Sequence, residues 1–443
     1  MKQSDYNIFL PEQNNVLCFN SYSDSYLIIS KSSYRELLAG DLHEFSADNP
    51  NTYDALVQSG FIIPDDVDQL AMLRTENKKE MFASDTDYLM VYPTQDCNLK
   101  CWYCYETHVP GSKMTKEVLE RTKSYISKLC QSSKAKTLRM TFFGGEPFLY
   151  YKDIVKPLLR HTYESCLKSK KAFVPFFVTN ASLLNKKTID EIMPFNPVFQ
   201  ITLDGWKNKH DSVRKWKSNG LGTYDHIIEV IDQICKKEQE RNTVGRNVIT
   251  VRINYDDETL NDMVEIIRDF EGIDKKLVFF QLERVWQTMG SINEKRIKQL
   301  KKALLQLTLD GYSVGHGLFG IKRVACPAEI YHYAVINWDG NIYKCNGRTL
   351  SEPNKEGVLL ADGTIRWNEK KQAKRVALST FENKMCLNCK MLPQCLGPCS
   401  QKIQECNGNL EDICSLKYAD MPLSEYIRTN FEMKIIRKRN ETR

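Results

Sequence analysis

Three cysteines lie close together early in the chain, at Cys97, Cys101 and Cys104. They follow a β-rich run that starts at Asp87, so we expect one loop at the end of a strand to carry all three thiols. A 4Fe-4S cluster normally takes four thiolates, and three cysteines therefore leave one iron open to a small molecule. A zinc site that lacks one ligand, or cysteines that are merely neighbours, are the alternatives at this point.

A second motif, Phe143-Gly-Gly-Glu-Pro147, follows the next β-rich run. Two glycines without side chains allow the backbone to come close to a ligand. The carboxylate of Glu146 can accept hydrogen bonds from an ammonium group. The motif therefore predicts a site for the amino end of a small molecule beside the cysteine loop.

The elements that position these motifs form a regular series along the middle of the chain. Each β-rich run is followed by a segment of helical length and pattern, which indicates six βα units. Near-continuous apolar strands joined by right-handed crossovers predict a parallel sheet, here an α/β fold with a partial (β/α)6 TIM-like barrel. Chemistry is then expected at the C-terminal ends of the strands. The six runs start at Asp87, Thr137, Ala172, Pro197, Asn247 and Lys276.

The two ends of the chain read differently from this middle part. Residues 16–20 and 26–30 are β-rich and joined by a turn, and short helical segments follow them, which predicts a small separate α+β module. After about residue 310, Gly, Asn, Pro and Cys replace the periodic pattern, as expected where metal substitutes for a hydrophobic core. We predict domains at 1–85, 86–310 and 311–425, and a basic C-terminal tail at 426–443.

The last quarter of the chain carries further cysteines at ordered spacing. Clusters of this kind ligate metal more often than they form disulfides in a reducing compartment, although CxxC pairs also bind zinc readily. Four other cysteines stand alone in apolar or helical surroundings and are expected to be small buried hydrophobes, namely Cys18, Cys130, Cys166 and Cys235. The ordered series is Cys326, Cys345, Cys386, Cys389, Cys395, Cys399 and Cys414.

The two early motifs resemble those of the radical S-adenosylmethionine (SAM) superfamily, and the resemblance covers about residues 85–294. It implies that SAM chelates the open iron and that Gly144, Gly145 and Glu146 hold its amino end. It also implies reductive cleavage of SAM to a 5'-deoxyadenosyl radical, which removes a hydrogen atom from the substrate. Asp204 with its following glycine is alternatively a plain turn at a strand end. Further implied contacts to SAM or substrate are Tyr103 near the adenine, Thr179, Asn180, Thr202, Asp204 and Arg214.

The later cysteines resemble the SPASM extension of some radical SAM enzymes, over about residues 325–416. The resemblance implies an outer cluster on Cys386, Cys389, Cys395 and Cys414, an inner cluster on Cys326, Cys345 and Cys399, and three 4Fe-4S clusters in all. The inner cluster lacks a fourth matching cysteine, so its last position is open, is filled by His332 or Cys406, or receives a substrate thiolate.

SPASM enzymes mostly act on peptides or proteins, so the resemblance implies such a substrate and an electron donor such as flavodoxin or ferredoxin. Residues 1–85 are similar in pattern to a leader-peptide-recognition domain, with a capping subdomain as the alternative. We therefore predict a maturase that crosslinks a ribosomally made precursor peptide through a thioether. The alternatives are an anaerobic sulfatase-maturing enzyme that forms formylglycine, and a non-catalytic metal-cluster scaffold that binds peptides.

Composition limits the remaining possibilities. The 443 residues are 42% hydrophobic and 27% charged, and the net charge of +6 is spread along the chain apart from the tail, so nucleic acid is not an expected partner. No apolar run reaches the length of about 18 residues that a membrane span needs. Pro11 and Glu12 interrupt the place where a secretory signal would continue, so we expect a cytoplasmic protein with no membrane partner.

Overall fold

The computed structural model describes residues 1–241, 247–261, 263–288, 293–317, 320–378, 380–406 and 410–442. Contacts divide the chain into two compact units. The first contains Met1–Ala83, Leu318–Ile330 and Arg375–Glu432, and the second contains Ser84–Gly317, Tyr331–Lys374 and Met433–Arg443. Over the described ranges, no helix is both long enough and apolar enough to cross a bilayer.

The described residues form strands and helices in the following order along the chain. The strands are β1 (Lys2–Gln3), β2 (Asn7–Pro11), β3 (Asn15–Asn20), β4 (Ser25–Ser30), β5 (Ile62–Ile63), β6 (Thr86–Val91), β7 (Thr137–Phe142), β8 (Ala172–Thr179), β9 (Val198–Leu203), β10 (Ile249–Tyr255), β11 (Val278–Arg284), β12 (Ser313–His316), β13 (Ala334–Ile336), β14 (Asn341–Tyr343), β15 (Gly357–Leu359) and β16 (Ile365–Trp367). The helices are α1 (Lys31–Ala39), α2 (Leu42–Asp48), α3 (Pro50–Gln58), α4 (Gln69–Ala83), α5 (Lys116–Ser132), α6 (Lys156–Lys168), α7 (Lys186–Ile192), α8 (Lys207–Val213), α9 (Tyr224–Glu240), α10 (Met263–Asp269), α11 (Glu294–Leu309), α12 (Glu369–Ala377), α13 (Lys384–Leu387), α14 (Leu392–Cys395), α15 (Ser400–Glu405) and α16 (Leu423–Glu441).

The first unit is built on an antiparallel sheet in the order β2-β3-β4. The predicted hairpin is present as β3 and β4, and β2 is a third strand that the sequence reasoning did not identify. Successive side chains of a strand point to opposite faces, and both faces of β3 are buried. Val16 and Cys18 lie in the core that the following helices cover with Leu37, Phe45 and Leu56.

The opposite face of β3 packs on the cysteine-rich segment near the end of the chain. Leu17 and Phe19 share a core cluster with buried side chains of that segment and of α16. The Ser21 hydroxyl also donates to the Lys390 carbonyl. Residues 1–83 therefore share their core with a distant part of the sequence, in contrast to the separate module that we expected. The partners of Leu17 and Phe19 in this cluster are Met391, Cys395 and Ile427.

The second unit is built on an eleven-stranded sheet in the order β12-β11-β10-β9-β8-β7-β6-β13-β14-β15-β16. Strands β6 to β12 and the β6–β13 pair are parallel, and β13 to β16 pair antiparallel. The six predicted strands are all present, which confirms the α/β class with its partial barrel. Strands β12 to β16 have three or four residues each and were not predicted.

Helices separate the parallel strands because their apolar side chains repeat at helical spacing. In α9, the buried residues Ile227, Val230, Ile231 and Ile234 recur at helical spacing and form one buried face. In α5, the Thr115 hydroxyl accepts a hydrogen bond from the first turn and caps the helix. These crossovers bring the C-terminal ends of the parallel strands to one edge of the sheet, where the cysteine loop begins.

Candidate active site

The loop after β6, which carries the three clustered cysteines, is held from two sides. On one side, the Asp96 carbonyl accepts a hydrogen bond of 2.9 Å from the backbone N–H of Glu146 in the loop after β7. On the other side, Leu99 forms an antiparallel bridge with Trp216 in the segment after α8. These two contacts fix the loop to the segments on either side of it.

Gly144 and Gly145 allow the two loops to come into contact. Gly144 has φ of +115°, and a Cβ there would lie 2.2 Å from the Thr94 carbonyl oxygen. A Cβ at Gly145 would lie 1.9 Å from the Asp96 carbonyl oxygen. The sequence led us to expect that these glycines admit a ligand, and the structure gives them a further role in packing backbone against backbone.

The three thiols of this loop are the candidate ligands of a cluster, and that role stays a prediction. No disulfide joins them. Burial is the main cause that raises the pKa of Cys97 to about 12, and nearby Glu146, Cys101 and Cys104 contribute to the same shift. Buried thiols of this kind give up their protons on binding metal. Within the described ranges, no three His, Cys, Asp or Glu side chains converge as ligands of one ion would. A 4Fe-4S cluster takes one thiolate per iron, so three thiols on one loop fit it.

Glu146 is completely buried between the ends of β7 and β8. Its Oε1 accepts hydrogen bonds from the Phe148 N–H at 3.1 Å and the Thr179 hydroxyl at 2.8 Å, and its Oε2 accepts one from the Asn180 N–H at 2.8 Å. Burial raises the pKa of Glu146 to about 7, against the opposing effect of these donors. Each carboxylate oxygen accepts two bonds, so Oε2 retains capacity for an amino group.

Tyr103, Asp204 and Arg214 come together in one buried network, although they are far apart in sequence. The Tyr103 hydroxyl lies 2.6 and 2.7 Å from the two carboxylate oxygens of Asp204. Burial raises the pKa of Tyr103 well above its usual value, so the hydroxyl stays protonated and donates to Asp204. Arg214 Nε donates to Asp204 at 2.7 Å, and Asn254 of β10 donates to the Tyr103 hydroxyl at 3.0 Å.

His210 contacts the same network through the backbone of Asp204. Its Nδ1 accepts a hydrogen bond of 3.3 Å from the Asp204 N–H, so its Nε2 carries the proton and donates to the Thr223 hydroxyl at 2.9 Å. Burial lowers the pKa of His210 well below its usual value, which keeps the ring neutral. Thr202 is buried in β9, where it pairs in register with Arg252 of β10.

Sequence reasoning missed His210 and Asn254 because neither belongs to a recognised motif. Asn254 does carry a signal, since it is a polar residue near the C-terminal end of an apolar strand. His210 offered only its place in the polar segment after Asp204.

The four cysteines predicted for the outer cluster lie near one another in the first unit. Burial is the main cause that raises the pKa of Cys386 to about 12, and nearby Cys395, Cys389 and Cys414 contribute to the same shift in that order. Gly397, with φ of +71°, approaches so closely that a Cβ would lie 3.1 Å from the Cys386 sulfur. Their role as ligands stays a prediction.

A half-buried carboxylate, that of Glu329, brings together the segments that hold two of the predicted inner-cluster cysteines. Glu329 accepts hydrogen bonds from the Ala325 N–H at 3.1 Å and the Ser400 N–H at 3.0 Å, next to Cys326 and Cys399 respectively. Both cysteines belong to the first unit, as does Cys406. Cys345 and His332 belong to the second unit, and the ligand set of the inner cluster stays a prediction.

Comparison with known proteins finds a family match over the part of the chain that carries this site. Residues 91–270 match the model of the Radical SAM superfamily. The chain is 20% identical to the radical SAM cyclopropyl synthase TigE of Paramaledivibacter caminithermalis over 425 residues, which cover 88% of this chain and 85% of TigE.

Two solved structures share the fold. Native anSMEcpe with bound AdoMet and Kp18Cys peptide aligns with a TM-score of 0.55 at 18% identity, over 79% of this chain and 96% of that one. SuiB of Streptococcus suis bound to S-adenosylmethionine aligns with a TM-score of 0.51 at 14% identity, over 94% and 100% of the two chains. Residues 91–270 of this chain therefore form a radical SAM domain, in a fold similar to that of anSMEcpe and SuiB.

Proposed function

We propose that this radical SAM enzyme matures a ribosomally made precursor peptide by installing a thioether crosslink. The observation that carries the peptide substrate is the sheet β2-β3-β4 of the first unit, which offers edge strands for an added peptide strand. The shared fold with anSMEcpe, a protein solved with a bound peptide, supports the same class of substrate.

The site residues fit the cofactors that the family implies. A 4Fe-4S cluster on Cys97, Cys101 and Cys104 would supply one electron to SAM when both are bound. Glu146 Oε2 would accept a hydrogen bond from the amino end of SAM. The hydrogen bonds between Tyr103 and Asp204 would hold the cysteine loop in place. Tyr103 lies between Cys101 and Cys104 in sequence, and its hydroxyl is bonded to Asp204, which directly follows β9. Of these groups, Glu146 and Asp204 are buried, which keeps water away from the two carboxylates.

Of the two edges of the sheet, β4 is the better one for strand addition. Strand β2 includes Pro11, which has no N–H to donate to a neighbouring strand. Strand β4 contains no proline, pairs with β3 on one side, and exposes 55% of Ile28. We therefore assign leader binding to the β4 edge.

Exposed aromatic side chains offer contacts for the modified part of the peptide. Tyr105 follows the last cysteine of the loop and stacks on Trp286, with ring centroids 5.5 Å apart and an interplanar angle of 13°. Trp102, within the cysteine loop, is 58% exposed. Exposed apolar groups beside an active site are typical of surfaces that bind a partner.

The thioether is supported by the predicted inner cluster if its fourth position is open, because a substrate thiolate could then bind there. The alternative is that His332 or Cys406 fills this position in the resting enzyme. Bound to iron, the thiolate would be held beside the carbon that loses hydrogen. TigE is a cyclopropyl synthase, and the similarity over 88% of this chain makes carbon–carbon bond formation the second candidate. Formylglycine formation, in a sulfatase, is the third.

The test uses the anaerobic, reduced enzyme with SAM and a set of short cysteine-bearing candidate precursor peptides. We expect release of 5'-deoxyadenosine, loss of two hydrogens from the peptide, and protection of one cysteine from alkylation. The same mass loss with the cysteine still alkylated would indicate a carbon–carbon bond instead. Oxidation of a sulfatase peptide alone would indicate formylglycine formation. Absence of 5'-deoxyadenosine would favour the non-catalytic scaffold. Dithionite serves as reductant, since a flavodoxin or ferredoxin donor stays a prediction.

A further inference from the structure

A closed ring of hydrogen bonds links the loop after β8 to the cysteine loop. Asn180 Nδ2 lies 3.7 Å from Cys97 Sγ and donates to Asn98 Oδ1 at 3.0 Å. Asn180 Oδ1 accepts from the Ser182 N–H at 2.9 Å and from its hydroxyl at 2.6 Å. The Ser182 hydroxyl in turn accepts from Asn98 Nδ2 at 2.8 Å.

This ring leaves the Asn180 amide one orientation. A backbone N–H can only donate, so the atom that faces Ser182 N must be the Asn180 oxygen. The amide nitrogen then faces Cys97 and Asn98, and its two hydrogens serve these two acceptors. In the reversed orientation, the amide NH2 of Asn180 would face the Ser182 N–H, so two donors would point at each other. Cys97 would also lose its donor.

The backbone of the same turn is also fixed. The Asn180 N–H is bound to the buried carboxylate of Glu146 at 2.8 Å. Ala181 is held at φ of +61°, a left-handed conformation that is unfavourable for a non-glycine residue. Backbone strain of this kind persists where the surroundings determine the conformation, and it is concentrated at functional sites.

We infer that Asn180 is a positioning residue of the first cluster, which donates an N–H···S hydrogen bond to the Cys97 ligand while Ser182 and Asn98 hold its amide. This differs from the SAM contact that the family resemblance suggests for Asn180. The inference rests on the radical SAM domain and is independent of the proposed peptide substrate.

Such a bond would adjust how readily the cluster accepts an electron. The Leu99 N–H already approaches Cys97 Sγ at 3.4 Å, so the amide would be a second donor to the same sulfur. Hydrogen bonds to cluster sulfurs help to set the reduction potential. They stabilise the reduced state more because it carries more negative charge. Loss of the Asn180 donor should therefore make the cluster harder to reduce.

The test is a reduction titration of the SAM-free holoenzyme followed by electron paramagnetic resonance. The first cluster is identified as the signal that disappears when Cys97, Cys101 and Cys104 are all replaced by Ala. We expect Asn180→Leu to lower the reduced-to-oxidised ratio at fixed potential about tenfold, which is about 59 mV for one electron. Asn180→Asp should lower it more, because a carboxylate cannot donate and adds negative charge.

Ser182→Ala keeps the amide but removes part of its support, so the shift should have the same sign and be smaller. Ser212→Ala, which removes an exposed hydroxyl that donates to the Lys209 carbonyl of its own helix, is the matched control and should leave the potential unchanged. An unchanged potential in Asn180→Leu, with weaker SAM binding, would overturn the inference in favour of a SAM contact. If Asn180→Leu fails to assemble the cluster, an unchanged potential in Ser182→Ala would overturn it.

Discussion

Replacing Phe19 by Ala should destabilise two parts of the first unit together, namely the sheet β2-β3-β4 and residues 386–414, which carry the cysteines predicted for the outer cluster. Phe19 is 1% exposed and packs on Tyr26, with ring centroids 4.6 Å apart, and on the cluster that includes Met391, Cys395 and Ile427. Removing a buried Phe side chain costs about 3–5 kcal/mol when the cavity does not collapse. Since whole domains are stable by only about 5–15 kcal/mol, a loss of this size should be readily detected.

The assay is hydrogen exchange of the iron-loaded enzyme, resolved by peptide and combined with denaturant unfolding. We expect faster exchange in β3 and also in residues 386–414, together with a lower iron content. Ile28→Ala is the matched control, because Ile28 is 55% exposed on the neighbouring strand and should change stability by no more than about 0.5 kcal/mol. Faster exchange in β3 with unchanged exchange in 386–414 would refute the shared core.

The same contacts change how a deletion of residues 1–85 must be interpreted. If residues 1–85 served only to bind the leader, the deletion would weaken peptide processing and spare uncoupled SAM cleavage. In the structure, it would also expose the partners of Leu17 and Phe19, among them Cys395. Point variants on the β4 edge therefore separate leader binding from support of the cysteine segment.

Four further predictions follow from the site and the first unit. Replacing Cys97, Cys101 and Cys104 by Ala should abolish SAM cleavage and leave the auxiliary clusters, so the iron content should fall from about twelve to about eight per chain; zinc without iron in the reconstituted parental protein would contradict this. Because burial raises the pKa of Glu146 to about 7, its carboxylate is charged above that pH, and SAM affinity should rise between about pH 6 and about pH 8. Glu146→Gln should lack that rise, and parallel pH profiles in calorimetry would count against the assignment. Ile28→Glu should weaken binding of the precursor leader about tenfold, as measured by fluorescence anisotropy. Leu167→Glu, at a side chain that is 67% exposed on α6, is the control and should not change the affinity. Equal affinities of the two variants would exclude the β4 edge as the leader-binding site. Trp286→Ala should raise KM for the peptide several-fold with uncoupled SAM cleavage retained, and an unchanged KM would remove Trp286 from the peptide site.

Much of the second unit could be predicted because its strands are apolar runs that alternate with amphipathic helices. The six main strands and the two motifs at their ends were identified from this pattern. Strands β12 to β16 were missed because three or four residues carry too little periodicity. The strand β2 was missed because its short run ends in Pro11, which argues against a strand.

The shared core of the first unit and the ring around Asn180 depend on contacts that no local pattern encodes. The run Val16-Leu-Cys-Phe19 is apolar at every position and does not alternate with polar residues. This pattern indicates that both faces of β3 are covered. Nothing in that run says what covers the second face, more than 370 residues away at Met391. Asn98 and Ser182 are ordinary polar residues until the fold brings their two loops together.

The contact between the cysteine loop and the Gly144-Gly145 turn has a consequence for how sequence variation in this protein is interpreted. A methyl group at Gly145 would meet the Asp96 carbonyl oxygen at 1.9 Å, so even alanine forces the two loops apart. A mutational scan that selects only for folded protein, with no selection for catalysis, should therefore already reject most substitutions at these two glycines. Intolerance to substitution at Gly144 and Gly145 thus reports on the packing of the two loops as well as on SAM binding. A relative that had lost SAM cleavage would still retain the two glycines.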